Sequence, residues 1–584
     1  MKTHTFSERA AARSSRLSNN AQSLYLPMVL LASLQLGNLT AACAQALPDA
    51  GTLRQQIEQQ RSFTPPPPQQ QRAEPRPERK SESGVSVRVK TFSISGNSLL
   101  SQEQLNAAVA EFIGREMDYT GLRYAAEAVS SAYREAGWLV RVYLPEQDVS
   151  EGNITLQVVE ARFAGVRFEG TPSKTVMASE LQAWFNTRQA TGQPLNANAL
   201  DRALLLADDL PGVSVAGTLA PGAAEGETAL VLQTTDEPFI YGDMGLDNNG
   251  ARSTGSNRLS ANLNINSPGG RGELVSLNLL HTQGSDYGRV GLTVPDGHNG
   301  LRLGVSASSM SYKVIGGSAS ITSLNIQGRS SSMGLDWNYP LVRARQHNLY
   351  FSGGLENKGF DSDNRNSNAA DPKSYSDYET DSLRLGLSGN RFDDLGGGGA
   401  NSGSMQMLWG RLTSMQAHSQ IDTIGRSYQK LNYTASRQQT LTGAHSLLLS
   451  LQGQHATQVL DSSERFYIGG AGTVRAYPVS ELGGERGQVL TGEWRWRVDS
   501  AWVLSAFVEH GRVVSMPTTA NEQRSSLSLR GRGLSASWQG PMGISTKLTW
   551  SRRDGANPKP TQTGTDGDGT LLKNRFWFTA SVPF

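Results

Sequence analysis

The sequence predicts a membrane β-barrel of about 16 antiparallel strands, preceded by two small α+β domains and an N-terminal helix. Four observations carry this reading. Most of the C-terminal half alternates polar and apolar residues with period two, the mark of strands. Hydrophobic residues make up only 37% of the 584 residues and mean hydropathy is −0.41. Beyond the N-terminus no 18-residue apolar run offers a membrane helix. Finally, the chain ends Arg575-Phe576-Trp577-Phe578-Thr579-Ala580-Ser581-Val582-Pro583-Phe584, an apolar face finishing on an aromatic residue. A soluble sandwich would hide such a face in a core, whereas a barrel turns it to lipid and lines a wet lumen with the polar face.

Residues 1–44 read as a secretory signal. Arg9, Arg13 and Arg16 precede an apolar stretch from Leu24 to about Leu36. Ala42-Cys43-Ala44 resembles a cleavage site, with Ala44-Gln45-Ala46 as a second choice. Cys43 is the only cysteine, so the exported chain carries no disulfide. Thr40, three residues before it, disfavours lipoprotein acylation there. Export, no disulfide and weakly apolar strands together point to a Gram-negative outer membrane.

Residues 45–83 hold a short, mostly polar helix from Asp49 to Arg61 and then a linker. Leu53 and Ile57 are the helix's only large apolar pair, a stripe too narrow to anchor it on a hydrophobic core. Two readings stay open, a frayed soluble leader and a plug lying in a polar channel. From Thr64-Pro65-Pro66-Pro67-Pro68 to Ser83 the chain is proline-rich and charged, an extended spacer whose ~20 residues could span roughly 60 Å.

Residues 84–160 order as strand, helix, helix, strand, strand. Phe92 and Ile94 lead to a turn at Gly96-Asn97. Ser101 and Gln104 form a capping box, and Leu105, Ala108, Val109, Phe112 and Ile113 make one helical face. Thr120 is the candidate cap of a second helix with Leu122, Ala126, Val129 and Tyr133 inward. Strands over Leu139–Leu144 and Gly152–Glu160 close the unit. Residues 161–236 repeat the plan: Val166 and Phe168 lead to Gly170, then helices carry Leu181, Trp184 and Phe185, and Leu200, Leu204 and Ala207. Two tandem copies of one plan suggest duplicated binding modules.

From residue 237 to 584 short alternating segments dominate. Examples are Val275, Leu277 and Leu279, and Leu447, Leu449 and Leu451, with polar loops such as Gly359–Asp377 between segments. At about 22 residues per strand and connection, the region supplies roughly 16 strands of bilayer length. Within it, at about 466–487, Phe466-Tyr467-Ile468-Gly469-Gly470-Ala471-Gly472-Thr473-Val474-Arg475-Ala476-Tyr477-Pro478 reads as an ordered turn presenting one arginine among apolar neighbours. Two strands follow. Val489–Val498 puts Leu490, Trp494, Trp496 and Val498 on one face, with Thr491, Glu493, Arg495 and Arg497 on the other. The next points Trp502, Leu504, Ala506 and Val508 one way and Ser505, Phe507, Glu509 and Gly511 the other. An arginine folded into the lumen would meet carboxylates there.

Other chemistries find little support. A net charge of +2, with basic residues spread along the chain, gives no nucleic-acid stripe. The eight histidines form no His-Glu-x-x-His, and no Gly-x-Ser-x-Gly elbow occurs. Gly469-x-x-Gly472 lacks the following Lys-Ser or Lys-Thr of a phosphate loop. No enzyme activity and no cofactor are expected.

At this point the sequence resembles the two-partner secretion transporters, the TpsB family of outer-membrane barrels, each of which exports one large exoprotein. That family places a plug helix and linker before two periplasmic POTRA domains and a sixteen-stranded barrel. One long loop folds back into its barrel with a Val-Arg-Gly-Tyr signature at the tip; here stand Val474-Arg475-Ala476-Tyr477, after Gly469-Gly470. A second signature, Phe-x-Asp-x-Gly, appears as Phe507-Val508-Glu509-His510-Gly511. The resemblance implies that Arg475 pairs with Glu509 and locks the loop inside the barrel, with Glu493 a rival carboxylate. Ala476 replaces a glycine, so a tip requiring positive φ would be costly. The resemblance further implies an unfolded exoprotein partner (adhesin, haemolysin or contact-dependent toxin), contact with outer-membrane lipid and the barrel assembly machinery, and Phe576, Phe578 and Phe584 as the C-terminal insertion signal. An assembly factor of the same superfamily and a solute porin are the alternatives.

Overall fold

The structure, a computed structural model, describes residues 49–61, 86–317, 322, 325–364, 373–414, 427–517 and 523–584. The proposed signal and the whole proline-rich linker lie outside these residues.

Among the described residues, sixteen strands from Ile240–Asp247 to Asn574–Pro583 close into one barrel, each antiparallel to its sequence neighbour. The last strand closes on the first through five paired positions, Thr579 opposite Asp247 to Pro583 opposite Asp243. Alternation decides the facing: Leu259, Leu279, Val305, Leu355, Leu449, Trp494 and Leu548 are exposed on the outer wall. Ser308, Ser332, Glu356, Glu493 and Glu509 are buried on the lumen side. Phe576, Phe578 and Phe584 face outward, as the terminal pattern requires. The Gly359–Asp377 loop of the sequence reading is corrected: strand pairing runs to Asn364 and resumes at Lys373. Phe360 and Tyr375 apart, the stretch has no large apolar residue, which hides the alternation that marks a strand.

Before the barrel lie two sheets of identical plan. Thr91–Ser95 runs parallel to Asn153–Glu160, with Val140–Tyr143 antiparallel to the same strand. Arg162–Phe168 runs parallel to Glu227–Asp236, with Val213–Pro221 antiparallel. In the first unit the Ser101–Gln104 capping box forms, and Leu105 and Val109 are buried. The helix then tightens to a 3-10 turn, leaving Ile113 exposed and off the predicted face. The second helix, Tyr119–Glu135, is capped by Asp118, which accepts from the Gly121 amide at 2.8 Å, and not by Thr120. Starting two residues earlier buries the same inward set, Leu122, Ala126, Val129 and Tyr133. In the second unit Leu181, Trp184, Phe185, Leu200 and Ala207 form the core, with Leu204 packed against it.

The second unit is bolted to the barrel's adjacent rim. Arg343, just inside a strand end, pairs in bidentate fashion with Asp209 at 2.8 Å for both bonds. Arg202 donates to the Pro340 carbonyl at 2.5 Å, and the Trp184 ring meets His298 edge-on. Such fork geometry fixes orientation as well as position. The two units are themselves linked by the Leu139 amide, which donates to the Leu195 carbonyl at 3.2 Å.

Candidate functional site

Two elements occupy the barrel lumen. The first is the helix Ala50–Arg61. Its narrow stripe does find an apolar surface: Ala50 and Leu53 pack with Tyr287, Met310, Tyr312, Phe360 and Tyr378. The stripe is supplemented by a buried arginine, which apolar periodicity could not reveal. Arg54 donates to Ser308 at 3.0 Å and Ser332 at 2.5 Å on the wall, and to Glu58 one turn on at 2.8 Å. Lys358 on the wall reaches Glu58 at 3.1 Å and Glu356 at 3.5 Å.

The second element is the segment between strands His445–Ala456 and Arg486–Arg497, which folds inward. A two-stranded hairpin, Phe466–Ile468 with Leu482–Gly484, leads to its tip. Gly469 and Gly470 both adopt positive φ, +108° and +96°, which lets the chain reverse. The Gly470 amide donates to the Tyr477 carbonyl at 3.0 Å, and Thr473 ties back to both backbone groups of Gly469. The predicted turn is therefore an ordered one. Ala476 carries no positive φ, so alanine here is unstrained, contrary to the cost inferred for a lost glycine.

At the tip Arg475 is buried and bonded through its amide, Nε and Nη2. Its amide donates to Glu509 Oε2 at 2.8 Å and its Nε to Glu509 Oε1 at 2.5 Å. Its Nη2 donates to Glu493 at 3.1 Å, and Arg495 binds the other Glu493 oxygen at 2.8 Å. Glu493 is thus a second partner and not a rival. The guanidinium carbon stands 3.4 Å over the centroid of Phe507, the aromatic of the second motif. Val474, Ala476 and Tyr477 are all buried. They fit because the facing strands carry glycines: a Cβ at Gly511 would lie 2.8 Å from Val474 Cγ2, and one at Gly531 would lie 2.7 Å from Ala476 Cβ.

The sequence reading missed several participants. The Arg475 carbonyl accepts from Ser551 Oγ at 2.6 Å and from Trp577 Nε1 at 2.7 Å. Both residues occupy lumen-facing register positions, the signal that could have found them. The two lumen elements also touch each other. Ser462 donates to Asp49 at 2.7 Å, Thr52 and Tyr467 share a hydrogen bond, and Glu464 lies 3.8 Å from Lys358 and 2.7 Å from Lys430. On the same in-folded segment, Glu481 accepts from Asn557 at 2.5 Å and from the Gly567 amide at 3.0 Å. Burial pushes its carboxyl up to about 7; these two bonds oppose the rise, and nearby Asp566 and Asp568 add to it. Among the described residues no group of three His, Cys, Asp or Glu side chains could hold a metal ion.

Taken together, the barrel lumen is occupied by a helix and an in-folded segment joined through Ser462 and Asp49. The model of the haemolysin secretion/activation protein ShlB/FhaC/HecB family matches residues 226–538, and that of the ShlB-type POTRA domain matches residues 87–161. The chain is 23% identical over 586 residues to the heme/hemopexin transporter protein HuxB of Haemophilus influenzae strain 86-028NP, covering 95% of this chain and 99% of that one. It is 29% identical over 188 residues to the outer membrane transporter CdiB of Escherichia coli O6:K15:H31, covering 32% and 31% of the two chains. Among solved structures, CdiB from Escherichia coli superposes with a TM-score of 0.66 at 20% identity, over 91% of this chain and 95% of that one. BamA from Haemophilus ducreyi lacking POTRA domains 1–3 gives a TM-score of 0.51 at 15% identity, over 86% and 100%.

Proposed function

Because the chain belongs to the haemolysin secretion/activation protein family ShlB/FhaC/HecB, we propose that the arginine lock and the lumen helix are the two gates of a dedicated protein exporter. It is an outer-membrane transporter of the two-partner secretion kind, with its POTRA module in the periplasm and an exoprotein passing through its barrel. The unit at 161–236 acts as a second POTRA domain, a reading supported by its repeat of the first unit's sheet plan. These modules capture an unfolded segment of the exoprotein, adding it to a sheet edge or seating it in an apolar groove. The incoming chain then displaces the helix Ala50–Arg61 and the segment carrying Arg475. With no ATP in the periplasm, folding of the emerging chain at the surface drives transit. The exoprotein is of the adhesin, haemolysin or contact-dependent toxin type.

The observation that carries this reading is the double occupancy of one lumen by a helix and a loop joined through Ser462 and Asp49. Small-solute diffusion does not call for a pore blocked by two such elements. The test compares surface and culture-medium proteins of the parent strain, a deletion strain and an Arg475→Ala strain. Loss of one large protein in the deletion strain, with other barrels at normal levels, is expected. Arg475→Ala should be inserted yet secrete poorly. Loss of many barrels together would instead mean an assembly factor. Unchanged proteins with altered solute uptake would mean a porin.

A further inference from the structure

The lock described above is a side-chain device, yet the tip's backbone is held separately. The Arg475 carbonyl receives two hydrogen bonds, from Ser551 at 2.6 Å and from Trp577 at 2.7 Å, so both of its lone pairs are used. Both donors come from the terminal hairpin, on strands Ser545–Arg553 and Asn574–Pro583. The same hairpin grips the tip at two further points. Arg553 lies over the Tyr477 ring at 5.8 Å, and the loop joining the two strands binds Glu481 through Asn557 and the Gly567 amide. That loop is in turn stiffened by Asp566, which is wholly buried and takes Arg553 at 2.7 Å and Arg575 at 3.4 Å.

We propose that the terminal hairpin is a second, independent clamp on the in-folded segment, with Trp577 and Ser551 as the positioning residues that hold its tip. The carbonyl belongs to the backbone, so any residue at position 475 would accept the same two bonds. Removing the Arg475 guanidinium therefore opens only one of two clamps. Trp577 sits two residues before the stretch that closes the barrel on its first strand, so the tip is tied to the strand that completes the wall. The clamp builds on the reading of Arg475 and Glu509 as a lock, but it does not depend on that pair.

Trypsin provides a probe that needs no label, because Arg475 is itself a cleavage site and is buried while the tip is docked. Cleavage of a transiently opened segment follows the population of the open form. The full-length transporter in detergent micelles is cut with trypsin, and the fragment ending at Arg475 is followed by mass. Trp577→Phe keeps an aromatic side chain and loses the N–H; Ser551→Ala loses the hydroxyl. Each is expected to speed that cut roughly five-fold, the weight of one hydrogen bond, and the double variant more than either. Asn557→Ala, on the loop joining the two strands, removes a donor to Glu481; it offers a third variant should the first two disturb assembly, and it too should speed the cut. Wild-type cleavage rates in these variants, with a heat-modifiable barrel retained, overturn the proposal. Glu509→Gln in the same assay separates the two ideas. Acceleration there alone leaves the lock and removes the clamp, whereas acceleration only in the hairpin variants does the reverse.

Discussion

Ser462 donates its hydroxyl to the Asp49 carboxylate at 2.7 Å, so the in-folded segment grips the residue at the very start of the lumen helix. Asp49 also accepts from the Thr52 amide at 2.7 Å, which makes it the helix cap. The two lumen elements therefore share a structural residue, and loosening one is expected to loosen the other.

Lys358 extends this linkage. It faces Glu58 on the helix, Glu356 on the wall and Glu464 on the in-folded segment. Removing one member of a buried ion cluster costs roughly 3–5 kcal/mol, and a wetted lumen reduces that. Lys358→Ala is predicted to accelerate amide exchange on the order of ten-fold in both 50–61 and 462–468. Acceleration in only one of these segments would show that the gates open independently.

Gly531 and Ala476 give a sharper test of tip docking. A Cβ on residue 531 would meet the Ala476 Cβ at 2.7 Å, too close for carbon atoms. Gly531→Ala should push the tip off the wall at a cost of ~1–3 kcal/mol, while leaving the barrel assembled. Adding Ala476→Gly removes the clash and should restore docking and secretion. If the double variant stays as defective as the single one, the clash is not the cause.

That complementarity explains what could and could not be read from the sequence. Period-two alternation placed Glu493, Phe507 and Glu509 on one side, because facing is a local property of a strand. The wall glycines at 511 and 531 matter only once Val474 and Ala476 lie against them, a contact no periodicity encodes. Arg54 was invisible for the same reason: a polar residue on a polar helix reads as solvated until Ser308 and Ser332 enclose it. Ser551 and Trp577 follow register, but their acceptor is a backbone carbonyl that carries no sequence signal. The stretch Gly359–Asp377 carries too few large apolar residues for its alternation to mark a strand.

The rim contacts predict a graded response. Asp209 is partly exposed, and ion pairs of that kind contribute under ~1 kcal/mol, so Asp209→Ala alone should leave secretion near normal. Arg343→Asp places two carboxylates face to face and should loosen the second unit from the barrel. Protease sensitivity near 236–240 would report it, and exchanging the pair as Asp209→Arg with Arg343→Asp should restore protection. A failure of the exchange to do so would assign the docking to Arg202 and the Trp184–His298 contact.

The Glu481 contact makes docking of the last surface loop depend on pH. Burial is the main cause of its raised pKa, about 7, against 4.5 for the free carboxyl. A raised acid favours its protonated form when folded, so the associated stability is fully present below about 4.5. It is lost as pH rises through about 7, where the buried carboxylate must ionise beside Asp566 and Asp568. Amide exchange at 557–567 is therefore expected to show, beyond its intrinsic pH trend, a loosening between pH 5 and 8. Glu481→Gln keeps a carbonyl acceptor for Asn557 and the Gly567 amide but cannot ionise, so it should flatten that profile. An unchanged profile in the glutamine variant would assign the pH response to the aspartates instead.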